Sequence, residues 1–143
     1  MDHDPQLIGF IESEVAILVR RATSLTTNRR LGVLDRSAYL LLRQLDAHGP
    51  LGVKALAEEF GLDISTVSRQ AAALVSKNLA ERIPDPRDGR ASHFRITETG
   101  RKQLEETRRA RFERYARLLE GWTDEERRTF GELLARFNRT FVD

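Results

Sequence analysis

Ser65, Thr66, Ser68, Arg69 and Gln70 are crowded into one short stretch, Ile64 to Lys77. Ile64, Val67, Ala71, Leu74 and Val75 recur between them at helical spacing, so a helix here packs one side and turns the polar set outward. Short hydroxyl side chains let a helix backbone approach base edges and phosphates, and arginine grips guanine or phosphate with two parallel hydrogen bonds. Two β-type runs follow, Leu79 to Ile83 and Ser92 to Ile96. The segment between them, Pro84-Asp85-Pro86-Arg87-Asp88-Gly89-Arg90, has the Pro, Asp and Gly content of a turn. The expected product is a hairpin with arginines at its tip. A polar-faced helix suits the major groove of duplex DNA, about 12 Å wide, and a slim arginine-ended probe suits the minor groove, about 6 Å wide.

These probes need a frame. Val53, Leu56, Ala57 and Phe60 mark a short helix that ends at Gly61, and Asp63 can cap the polar-faced helix after it. Two short helices joined by Gly61-Leu62-Asp63 make a helix-turn-helix, whose second helix is usually the reader. Lys54, at the start of the first, is placed to meet a phosphate. Upstream, Asp35 caps a helix running to about His48, with Tyr39, Leu41, Leu42 and Leu45 inside, and Leu51 is extended.

The flanks are long helices. Asp4-Pro5 opens one whose stripe of Leu7, Ile11, Val15, Leu18, Ala22 and Leu25 is widened by Ile8, Phe10 and Val19; Thr26, Thr27, Asn28 and Gly32 end it. That width suits either ordinary core packing or a second partner such as another subunit. Thr97 caps a long helix after the hairpin, with Leu104, Phe112, Tyr115, Leu118 and Leu119 apolar and Arg108, Arg109, Arg111, Arg114 and Arg117 between them. Gly121-Trp122 breaks it, with Trp122 as a packing anchor. Thr123 to Glu126 then matches a capping box ahead of Phe130, Leu133, Leu134, Phe137 and Phe141.

Composition narrows the function class. A chain of 143 residues without internal repeats reads as one domain, and the absence of cysteine excludes disulfides and thiol redox chemistry. The net charge of +2 argues against a uniformly basic coat, so the distribution of charge matters more. Val15 to Leu34, for instance, carries Arg20, Arg21, Arg29 and Arg30 with no acid. No apolar run approaches the ~20 residues of a bilayer span, and MDHDPQLIGF lacks the pattern of a secretion signal. The expectation is a cytoplasmic protein, neither exported nor embedded. His3, His48 and His93 are scattered without metal-ligand spacing, and no catalytic constellation can be placed. No metal, no cofactor and no enzymatic activity are expected.

GPLGVKALAEEFGLDISTVSRQAAALVSKNLAER, then DPRDGR, then FRITETG stand in an order and spacing that resembles the MarR family of winged helix-turn-helix regulators. The resemblance covers nearly the whole chain. It implies a mainly α fold of about six helices with a two- to three-stranded β-wing, residues 35–97 forming the DNA-binding lobe and residues 1–33 and 98–143 the dimerisation helices. It further implies a homodimer on a pseudo-palindromic operator, Ser65, Thr66, Ser68 and Arg69 in the major groove, and Arg90 in the minor groove. Asp88 matches the acidic residue that steadies that arginine, and Arg87 is a candidate phosphate contact. Many relatives release DNA when a small aromatic or anionic effector enters a crevice beside the winged lobe. Tyr39 and the Arg20-Arg21 pair are candidates to line such a crevice, against a core role for Tyr39 and a solvated one for the arginines. Asn78 stands where relatives commonly have Gly, and Gly89 where many have another Arg. A winged-helix protein-interaction module and a non-specific architectural DNA binder are the rival readings.

Overall fold

In the computed structural model, which describes residues 2–27, 34–90 and 92–141, the chain forms six helices and one small sheet. Helix α1 spans Pro5–Thr27 and starts where expected, with the Gln6 N–H donating to Asp4 Oδ1 at 2.9 Å. Thr26 and Thr27 form its last residues, while Asn28, Arg29, Arg30 and Gly32 lie outside the described residues.

The core is built on α2 (Arg36–His48), α3 (Val53–Phe60) and α4 (Ile64–Ser76). Asp35 caps α2 by accepting the Ala38 N–H at 2.8 Å, and Tyr39, Leu41, Leu42 and Leu45 are all buried. Leu56 and Ala57 of α3 meet Val67, Ala71 and Leu74 of α4 in the same cluster. Ile64 departs from the expected stripe, since it is 52% exposed. Periodicity gives the direction of a side chain, but only a packing partner gives burial.

Both helices of the helix-turn-helix close in the same way. After α3, Gly61 is left-handed (φ 63°), and the Leu62 N–H reaches back to the Ala57 carbonyl at 3.1 Å. After α4, Asn78 takes the left-handed conformation (φ 58°), its N–H bonds the Val75 carbonyl at 3.0 Å, and the Leu79 N–H bonds that of Leu74 at 2.9 Å. These paired back-bonds satisfy carbonyls that the helix end would otherwise orphan. Asparagine fills the second position because its short polar side chain tolerates the left-handed region.

The closure of α4 also moves the first strand. Leu79 was expected to begin it, but β1 spans Ala80–Pro84. Leu79 spends its N–H on Leu74 in closing α4, so only its carbonyl continues the pairing, accepting the N–H of Thr97 opposite it at 3.1 Å. β1 pairs antiparallel with β2 (Ser92–Ile96), Glu81 opposite Arg95 and Ile83 opposite His93. Leu51 adds a one-residue third strand, exchanging two main-chain bonds with Phe94 at 3.2 and 2.8 Å.

Helix α5 (Glu98–Leu118) is capped by Thr97, whose hydroxyl accepts the Gly100 N–H at 3.0 Å. Its first half packs on the core through Leu104. Past Gly121 (φ 87°), α6 (Asp124–Arg139) opens with the expected capping box: Glu126 N–H to Thr123 Oγ1 at 3.1 Å and Thr123 N–H to Glu126 Oε1 at 2.9 Å. Trp122 anchors this junction against Phe130, with ring centroids 5.3 Å apart. No residue of α6 is buried. Phe112 is 75% exposed and Phe10 64%, and among the described residues of α1, α5 and α6 only Leu104 belongs to the core cluster.

Candidate nucleic-acid interface

Helix α4 has a buried keel and an open deck. Val67, Ala71 and Leu74 are buried, Ser65, Ser68 and Arg69 are exposed, and Thr66 and Gln70 are half-buried. No carboxylate stands within ion-pair distance of Arg69 among the described residues, so its guanidinium keeps its full donor set. Thr66, Arg69, Gln70 and Lys77 border a cleft of about 260 Å³ whose other wall is the start of α2.

Asp63 does not cap α4 through its side chain as expected. Its main-chain carbonyl accepts the Val67 N–H at 3.2 Å, but its carboxylate accepts the Ser65 hydroxyl at 2.6 Å instead of a backbone N–H. The Ser65 hydroxyl, then that of Thr66, holds the Asp63 carboxyl below the usual aspartate range; its own backbone N–H and the Arg69 charge add to this, and slight burial opposes it.

The wing separates its arginines into two kinds. Arg95 pairs with Glu81 across the strands (Nε to Oε1, 2.8 Å), and Arg82 lies over the Phe94 ring at 5.6 Å. Arg87 and Arg90 at the tip are exposed and make no ion pair among the described residues. Two aspartates shape the loop: Asp85 Oδ1 accepts the Arg87 N–H at 2.8 Å, and Asp88 Oδ1 accepts the Arg90 N–H at 3.1 Å. Asp88 therefore holds the backbone of Arg90 and not its guanidinium. A short carboxylate two residues upstream meets the nearby main-chain N–H first, as in an Asx turn. Lys54 is exposed in the first turn of α3.

A larger cavity of about 640 Å³ lies between α2 and α5. Tyr39 lines it together with Arg43, Arg109, Arg111, Phe112 and Tyr115. Arg111 stacks over Tyr39 at 4.6 Å, and Arg43 lies over the same ring at 5.5 Å. Tyr39 is thus both a core residue and a cavity wall. Arg20 and Arg21 are exposed on α1 and are not among the lining residues. The sequence signal for this lining was the run of arginines through 108–117, which periodicity alone could not aim at α2.

Asp46 was also missed. Its carboxylate faces Arg101 Nε and Arg108 Nη1, each at 3.4 Å, and so ties α2 to α5. Among the described residues no cluster of His, Cys, Asp or Glu is placed to hold a metal, and no helix is long and apolar enough to cross a membrane.

Residues 34–92, from the end of the segment before α2 to the start of β2, match the model of the MarR family. Over 137 residues the chain is 51% identical to the uncharacterized HTH-type transcriptional regulator YxaD of Bacillus subtilis (strain 168), covering 95% of this chain and 96% of that one. The chain belongs to the MarR family. As a MarR-family protein it is a DNA-binding regulator of transcription, and its architecture agrees with that of solved members. A MarR family protein from Bacillus stearothermophilus superposes with a TM-score of 0.79 at 19% identity, covering 99% of this chain and all of that one. The PcaV transcriptional regulator from Streptomyces coelicolor, solved in complex with its natural ligand, gives 0.76 at 23% identity over 96% of each chain. The MarR match is confined to the winged lobe, whereas the likeness to YxaD and to both structures extends over the flanking helices.

Proposed function

We propose that this MarR-family chain acts in the cytoplasm as a homodimeric, ligand-responsive repressor on a pseudo-palindromic operator. Residues 35–97 serve as the reading lobe, and residues 1–33 and 98–143 as the dimerisation region. Ser65, Thr66, Ser68, Arg69 and Gln70 enter the major groove, Arg90 enters the minor groove, and Arg87 and Lys54 meet phosphates. The observation that carries this reading is the division among the cations: Arg82 and Arg95 are engaged within the wing, while Arg69, Arg87 and Arg90 stay exposed and without ion pairs among the described residues. Exposed guanidinium groups can replace the counterions of phosphate and bond base edges.

Unburied apolar surface supports the dimer. Leu7, Phe10, Leu18 and Val19 of α1 and Phe130, Leu133 and Phe137 of α6 are all exposed in the single chain. Contiguous apolar faces of this kind mark interaction surfaces. A two-fold dimer places its readers about one helical turn apart, roughly 10 bp.

The effector would occupy the cavity beside Tyr39, where Arg43, Arg109 and Arg111 can meet an anionic group and Tyr39, Phe112 and Tyr115 an aromatic ring. PcaV, a related fold, holds its natural ligand in the solved structure. A ligand that favours one spacing of the two readers lowers DNA affinity by its differential binding to the two states.

Selection of duplexes from a random pool tests the core of this reading, with light scattering for the assembly. A two-fold symmetric motif bound by a dimer is expected, with Arg69→Ala weakening binding. A stable monomer, or salt-dependent binding without sequence preference, would overturn it.

A further inference from the structure

We infer that Asp63 sets the base specificity of Ser65 by fixing which way its hydroxyl proton points, so that Ser65 reads only bases bearing an amino group. The inference rests on α4 being the major-groove reader. Ser65 Oγ lies 2.6 Å from Asp63 Oδ2, and both residues are exposed at the first turn of α4.

An ionised carboxylate can only accept, so the serine must donate. Neighbouring hydroxyls and the Arg69 charge lower the Asp63 pKa, so this carboxylate is ionised at neutral pH. A bond at 2.6 Å between a hydroxyl and a charged oxygen belongs to the short, strong class. Ser65 has one proton, and it is committed. What the hydroxyl offers outward is lone pairs alone.

Unconstrained serine pairs with any base, because it rotates to donate or accept as required. A serine with its proton held cannot do this. In the major groove, hydrogen-bond donors are found only on adenine N6 and cytosine N4; guanine and thymine show that edge only acceptors. Against those acceptors the Ser65 oxygen would set lone pair against lone pair. The diversion of the Asp63 side chain from the helix N–H groups is what makes this selectivity available. Asp63 is thus a positioning residue that acts through Ser65, and its backbone carbonyl still closes the first turn on Val67.

The test is parallel selection of duplexes from a random pool by the full-length wild type, Ser65→Ala, Asp63→Ala and Asp63→Asn, with thermal melts to confirm folding. The wild type should show one position per half-site held to adenine or cytosine over guanine or thymine by about fivefold, the worth of one net hydrogen bond. Ser65→Ala should flatten that position alone. Asp63→Ala should free the proton and bring the four bases there to within about twofold. Asp63→Asn keeps an acceptor oxygen and should largely restore the preference. Should Ser65→Ala leave every position unchanged, should the affected position prefer guanine or thymine, or should Asp63→Ala discriminate like the wild type, the inference is overturned while the DNA-reading assignment stands. If the wild type selects no motif, both fall.

Discussion

The Thr97 hydroxyl donates to the Asn78 carbonyl at 2.7 Å, joining the residue that ends the reader helix to the residue that begins α5. The same oxygen accepts the Gly100 N–H, and the Thr97 N–H bonds Leu79. One residue thereby joins the end of α4, the base of the wing and the start of the long helix.

Thr97→Ala removes both the cap and the cross-link, and should cost about 1–2 kcal/mol of unfolding free energy. Thr97→Ser retains both bonds and should cost far less. Equilibrium denaturation with unchanged m-value distinguishes loss of these bonds from a change in the unfolded chain.

Gly100 is required by contact. A Cβ there would lie 2.1 Å from the Leu79 carbonyl oxygen and 3.0 Å from Ile96 Cγ1. Gly100→Ala should therefore destabilise by roughly 1–3 kcal/mol or more, because backbone must shift. Gly131, inside α6, faces open space, with nothing within 4 Å of where a Cβ would stand. Gly131→Ala should stabilise by about 0.5–1 kcal/mol through helix propensity. Opposite shifts in melting temperature are the expected result.

The two kinds of wing arginine should separate in a salt titration of DNA binding. Arg90→Ala should weaken binding and lower the slope of log affinity against log salt by about one unit. Arg95→Ala breaks the cross-strand pair with Glu81 and should leave the slope near that of the wild type.

Acid should loosen α6 through its cap. The Thr123 backbone N–H, then its hydroxyl, holds the exposed Glu126 carboxyl below the ordinary glutamate value; the Arg127 charge adds to this and slight burial opposes it. A carboxyl lowered by folding contributes stability that is complete above its unfolded pKa and is lost as pH falls through its folded one. Helicity and melting temperature should thus decline across the acidic carboxylate range in the wild type. Glu126→Gln keeps an acceptor for the cap amide and should lessen that decline.

Local chemistry alone determined the order of helices and hairpin, the caps at Asp35 and Thr97 and the capping box at Thr123. Each depends on residues within one or two helical turns of one another, so spacing and side-chain type suffice. Tertiary structure decided which arginines are free. Arg82 and Arg95 are the same residue type as Arg87 and Arg90, but Phe94 and Glu81 reach them only once the strands pair. It also decided that Tyr39 meets Arg111 over a cavity, that Asp46 meets Arg101 and Arg108, and that Gly100 touches Leu79. These partners are distant in sequence, and side-chain periodicity gives a direction without saying what lies along it. Asp63 shows the limit even at short range: several donors lay within its reach, and the folded geometry delivered its carboxylate to the Ser65 hydroxyl instead of the helix N–H groups.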